Sequence, residues 1–183
     1  SATAQTFGRS KVQYDHFAFR VRPTPHFRVL YYPAESLATA DAARMAERWY
    51  DRHAGALGQS FTDNPLIFYA DAPDFQQSNV IEEAIGVGTG GVTEGLRDRV
   101  IMPFTGVYAD NDHVLGHELV HVFQYRIAAA MPGAERNLMQ IPLWLIEGMA
   151  EYLSIGRDDA NTAMWLRDAA RRDDLPTIRQ LTT

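Results

Sequence analysis

The stretch His117-Glu118-Leu119-Val120-His121 sets three titratable side chains inside an apolar helical run, and that conflict constrains the fold more than any other feature. Val114, Leu115, Leu119, Val120, Val122, Phe123 and Ile127 make Asp110–Ala130 a helix buried over much of its surface. Asn111 or Asp112 suits its N-cap, and Pro132-Gly133 its stop. Positions i and i+4 lie one turn apart on one face. His117 and His121 therefore converge. Either they are hydrogen-bonded core histidines, or they grip one metal ion with Glu118 in reach of a water on it. A charged Glu118 in such a helix is costly without a partner.

A second helix complements the first. Pro142-Leu143-Trp144-Leu145-Ile146-Glu147-Gly148-Met149-Ala150-Glu151-Tyr152 opens on a proline suited to a first turn. Glu147 and Glu151 are four apart and share a face among mostly apolar residues. They form either a solvated acidic stripe or a pair of carboxylates seeking a cation or histidine partners. Gly148 and Ala150 are small enough to admit close approach of the first helix.

The pairing of HExxH with a later Trp-Leu-x-Glu-Gly-x-Ala stretch resembles the gluzincin metallopeptidases, the group of thermolysin and the zinc aminopeptidases. The wider chain, with Phe7-Gly8-Arg9-Ser10-Lys11-Val12-Gln13-Tyr14 and His26-Phe27-Arg28-Val29-Leu30-Tyr31-Tyr32, is similar to peptidase MA-like domains that precede β-propeller repeats in exported bacterial proteins. The spacing departs from the best-known members: 25 residues separate His121 from Glu147, and the insert at Met131-Pro132-Gly133-Ala134 reads as a loop. The resemblance implies one Zn2+ per chain held by His117, His121 and Glu147, with Glu118 as general base. Glu151 then supports a ligand histidine from the second shell. It further implies a peptide or protein substrate, an extracytoplasmic location (periplasmic or secreted) and a C-terminal β-propeller in a longer protein.

The same resemblance implies a zincin-like α+β fold: a small mixed sheet with an edge strand beside the HExxH helix, then a mainly helical part. Val100-Ile101-Met102-Pro103-Phe104 is the candidate edge strand for substrate pairing, since Pro103 lacks a donor; an ordinary core strand is the alternative. Oxyanion stabilisation falls to a Tyr, His or Arg. Tyr152, Tyr108, Tyr125 and His113 are the candidates, with Tyr125 reading as core because it continues the buried helix. His113 is not a third ligand beside His121, because two turns separate them by about 12 Å.

The remaining features set bounds. At 183 residues the chain holds one domain with a sizeable core, 26–183, behind an extended arm at 1–25. A net charge of −6 without a basic run argues against nucleic acid, and no stretch is apolar enough to span a membrane. The absence of Cys excludes thiolate sites and disulfides. Ala2-Thr3-Ala4 reads either as the small-residue end of a signal peptide or as a linker. His26–Tyr32, Leu66–Ala70 and Arg99–Phe104 read as strands, Ser36–Leu57 and Asp159–Arg172 as helices, and Asp74–Asn79 as a turn or short helix. Gly86–Gly95, with five glycines, reads as a loop that is no phosphate cradle, and Leu175-Pro176-Thr177 opens a last short segment. Two further functions stand beside the peptidase: a weak or inactive peptide-binding module of an envelope protein, and an amidase or other hydrolase on the same metal. Only the hydrolases need Glu118.

Overall fold

The computed structural model describes residues 14–79, 85–86, 88–95, 97–131 and 141–182. Residues 1–13, and with them most of the opening stretch, lie outside the described residues, as do Pro132, Gly133 and Ala134. Among the described residues five strands form one mixed sheet: β1 (Arg20–Pro23), β2 (Phe27–Tyr31), β3 (Asn64–Tyr69), β4 (Val92–Glu94) and β5 (Arg99–Pro103). Their spatial order is β1-β2-β3-β5-β4. The three inner strands run parallel, and each outer strand is antiparallel to its neighbour. The helices are α1 (Ser36–Leu57), α2 (Ala72–Gln76), α3 (Tyr108–Ala130), α4 (Leu143–Ser154), α5 (Ala160–Arg171) and α6 (Ile178–Leu181). No described helix is long and apolar enough to cross a membrane.

Strand alternation divides the apolar residues between the two faces of the sheet. Leu66, Phe68, Val100 and Met102 face the main core beneath α1 and α3. Tyr69 and Ile101 join Tyr32, Phe75 and Phe17 on the other face. The parallel step from β2 to β3 needs a crossover, which α1 supplies. Ala42, Ala43, Met45, Ala46, Trp49, Tyr50 and His53 recur at helical spacing as its buried stripe. Gly58 ends α1 in the left-handed region at φ 65°, a conformation that glycine adopts without strain.

The placement of α3 over the sheet depends on a close approach to α1. A Cβ at Gly116 would lie 2.6 Å from Trp49 Cε2. The Trp49 indole N–H donates to Asp112 at 2.9 Å, and His53 Nε2 donates to the Gly116 carbonyl at 2.9 Å. His53 is fully buried, and burial pushes its pKa below the usual value.

Several expectations change. Arg20–Pro23 belongs to β1 rather than to an irregular arm. Its arginines and proline suit an exposed edge, which hides it from apolar pattern reading. The glycine-rich segment is not all loop, because Val92–Glu94 pairs with β5 as β4. Val100–Phe104 is therefore not the sheet edge: β5 lies between β3 and β4, and Val100, Ile101 and Met102 are buried. An unbroken apolar run marks a strand covered on both faces. The edge beside α3 is β4. The N-terminus of α3 falls at Tyr108, and Asn111 instead accepts a hydrogen bond from the Thr105 N–H at 2.9 Å. A Cβ at Gly148 would meet nothing within 4 Å among the described residues, so the close packing of α4 falls to the buried Ala150.

Two tests follow from this packing. Gly116→Ala should lose about 1–3 kcal/mol by overpacking against Trp49. Gly55→Ala, in an open position of α1, should gain about 0.5–1 kcal/mol from helix propensity. Urea unfolding distinguishes them, and equal effects would contradict the α1–α3 contact. His53 gives a pH signature. Its folded pKa lies below the unfolded value of about 6.5, so the unfolded chain takes the proton first. Its contribution is complete above about pH 6.5 and is lost as pH falls below that value. The metal-free chain should thus lose more stability between pH 7 and 5 than His53→Gln does; parallel losses would refute this.

Candidate metal centre

α3 and α4 pack side by side, and their polar residues meet along the seam. His117 Nε2 and His121 Nε2 lie 3.1 Å apart. Glu147 Oε2 lies 3.2 Å from the first and 3.5 Å from the second. A tetrahedral zinc with bonds of about 2.0–2.1 Å sets its ligand atoms about 3.3–3.4 Å apart. The triangle formed here has that size. Both imidazoles are mostly buried, while Glu147 is half exposed, so the cluster opens to solvent on the α4 side.

The outer nitrogen of each ring fixes its tautomer. His121 Nδ1 lies 2.8 Å from Gln124 Oε1. The amide of Gln124 is oriented by its own nitrogen, which donates to the Ile146 carbonyl at 3.0 Å. An oxygen therefore faces His121, and Nδ1 must carry the proton. His117 Nδ1 faces Glu151 Oε1 at 3.2 Å and is a donor by the same reasoning. In the neutral rings both Nε2 atoms are then lone pairs facing each other and a carboxylate oxygen. Three such acceptors repel, and a proton or a metal cation between them relieves that repulsion. His117, His121 and Glu147 could hold one metal ion.

His113, His117 and Glu151 also bring one ligand atom each within 4.8 Å of one another. This set uses His117 Nδ1, whose proton the first set keeps in place. The two sets thus act as one network, with Glu151 held between His117 and His113, the latter at 3.0 Å. Glu151 supports a ring in this arrangement, and His113 supports Glu151.

Glu118 packs against Thr93 of β4 and the neighbouring Gly91. It is 8% exposed, and Thr93 Oγ1 donates to its Oε2 at 2.6 Å. Desolvating a carboxylate costs several kcal/mol, and one charge-assisted hydrogen bond returns about 1.5–3 kcal/mol. Burial therefore pushes the Glu118 carboxyl above the usual range, against the opposing pull of Thr93 and both histidines. A cation nearby acts in the same direction as the histidines.

The aromatic candidates separate. Tyr108 lines a different cavity of about 190 Å³ between α1 and the start of α3, with Ala42, Met45 and Phe104. Tyr152 is 60% exposed and makes no hydrogen bond to the cluster among the described residues. Tyr125 is not core: it is 37% exposed and covers the Gly95 backbone. Its hydroxyl pKa is raised by burial and then by the charges of Glu118 and Glu147. Sequence reading missed Gln124, Thr93 and Gly91. Gln124, three residues after His121 on the same face, was the one that spacing could have revealed.

Comparison of the chain with protein-family models, curated proteins and solved structures finds no match.

Removing either outer partner should loosen the metal without removing a ligand. Gln124→Ala and Glu151→Ala are each expected to weaken zinc binding about 10–100-fold, and His117→Ala to abolish it. Competition titration against a chromogenic chelator measures all three. Unchanged affinity in both support variants would contradict the tautomer argument.

Proposed function

We propose that this chain is a zinc-dependent peptidase with a zincin-like, gluzincin-type centre. The observation that carries the reading is the convergence of two Nε2 lone pairs and a Glu147 oxygen at 3.1, 3.2 and 3.5 Å. Two imidazoles and a carboxylate suit Zn2+ better than Ca2+ or Mg2+, which take oxygen ligands. When bound, the ion supplies Lewis acidity for a carbonyl and lowers the pKa of water from about 15.7 to about 7.

The chain supplies the remaining chemistry. Glu118 rides on the helix that carries both histidines, so the base and the two histidine ligands share one rigid element. Its carboxylate takes a proton from the attacking water and delivers it to the departing amine nitrogen as the C–N bond breaks. The outer edge of β4, beside α3, offers backbone groups to which an extended peptide can add as a strand. In the same reading the chain works outside the cytoplasm, next to a β-propeller, as the family resemblance implies.

Zinc-loaded protein should cleave members of a quenched peptide library, and chelator should abolish cleavage. Glu118→Gln should retain one equivalent of zinc while turnover falls at least about 10²-fold. Wild-type turnover in that variant would exclude Glu118 as the base, and chelator-resistant cleavage would exclude the metal. Zinc binding without cleavage would favour the peptide-binding module.

A further inference from the structure

We propose that Thr93, with Gly91, positions the general base: the edge strand β4 forms a notch that holds Glu118 by its Oε2 and leaves Oε1 as the proton-accepting atom. The inference rests on the peptidase reading and adds to it a residue on a different element from the ligands. Gly91, just ahead of β4, and Thr93, within it, both lie against Glu118. A Cβ at Gly91 would lie 2.9 Å from Glu118 Cγ, 3.0 Å from Oε1 and 3.1 Å from Cδ. Only a glycine lets the strand backbone pass that close to the carboxylate. The Thr93 hydroxyl contacts both Glu118 Oε2, at 2.6 Å, and the Glu118 carbonyl, at 2.9 Å. It has one proton to share, and the charged oxygen at the shorter distance is the stronger acceptor.

A carboxylate gripped at one oxygen by a hydroxyl and flanked at the other by bare backbone has little rotational freedom. The grip comes from the strand on which an extended substrate would lie, so the base is registered against the substrate as well as against the metal ligands. A side chain carrying a proton between two atoms loses rate steeply when its geometry loosens, by up to about 10² for a displacement of about 1 Å. The proton moves from the attacking water to Oε1 and then to the leaving nitrogen, while Oε2 keeps its hydrogen bond throughout.

Thr93→Val keeps the shape and the strand preference but removes the donor. In zinc-loaded protein it should lower kcat about 10- to 100-fold, leaving KM and zinc affinity within about twofold. Thr93→Ser restores the hydroxyl and should recover most of kcat. High-resolution crystal structures should show Glu118 in one conformer on Thr93 in the wild type, and rotated or split in Thr93→Val. An undiminished kcat, no recovery in Thr93→Ser, or an unmoved carboxylate in Thr93→Val would each overturn the proposal. If the zinc-loaded wild type cleaves no peptide, the peptidase reading falls. The crystal structures then decide the positioning claim alone: a displaced carboxylate upholds it and an unmoved one overturns it.

Discussion

Two imidazoles with their outer protons held elsewhere must turn their lone pairs inward, and the geometry of the α3–α4 seam follows from that constraint. Glu151 holds the Nδ1 proton of His117, and Gln124 holds that of His121. The inward nitrogens and Glu147 Oε2 then form a small triangle of acceptors. Without a cation such a triangle is repulsive, and with one it is a ligand set. The supporting bonds tie α4 to α3 twice, because Gln124 also accepts the task of reading the Ile146 carbonyl one residue before Glu147. Ligand placement and helix packing are thereby coupled.

The rest of the fold holds this seam in place. α1 fits against α3 at Gly116, where Trp49 occupies the space of the missing Cβ. Trp49 and His53 donate to Asp112 and to the Gly116 carbonyl, which bracket the approach just ahead of the ligand turn. On the other flank, Gly91 and the β4 residue Thr93 lie against Glu118. The proposed histidine ligands therefore sit on the face of α3 toward Glu147 and Glu151 of α4, while the proposed base is held by Thr93 of β4. One helix serves both roles because successive residues point about 100° apart.

Residue chemistry with a strict spacing was legible in the sequence. His117, His121, Glu147 and Glu151 stand out because titratable groups are rare on apolar helices, and the structure brings those four together. The α1 boundaries were legible for a similar reason, a long stripe ended by Gly58. What was not legible depended on context. Val100–Pro103 is apolar because both faces of the sheet are covered there, so the loudest strand signal marked the interior and not the edge. The true edge is three residues long and sits among glycines, where Thr93 looks like a loop residue. Tyr125 reads as core from its helix, yet its ring lies over Gly95 at the surface. Gln124 carries no charge to draw attention, although its role follows from its position one turn beyond His121.

The proposed centre holds a single cation between the two Nε2 atoms and Glu147. X-ray absorption at the zinc K-edge, on protein loaded with one equivalent and freed of excess metal, tests it most directly. The expected result is one retained zinc per chain, a first shell of four nitrogen and oxygen atoms at about 2.0–2.1 Å, and outer-shell scattering from two imidazoles. Failure to retain stoichiometric zinc, or a six-oxygen shell without imidazole scattering, would contradict it.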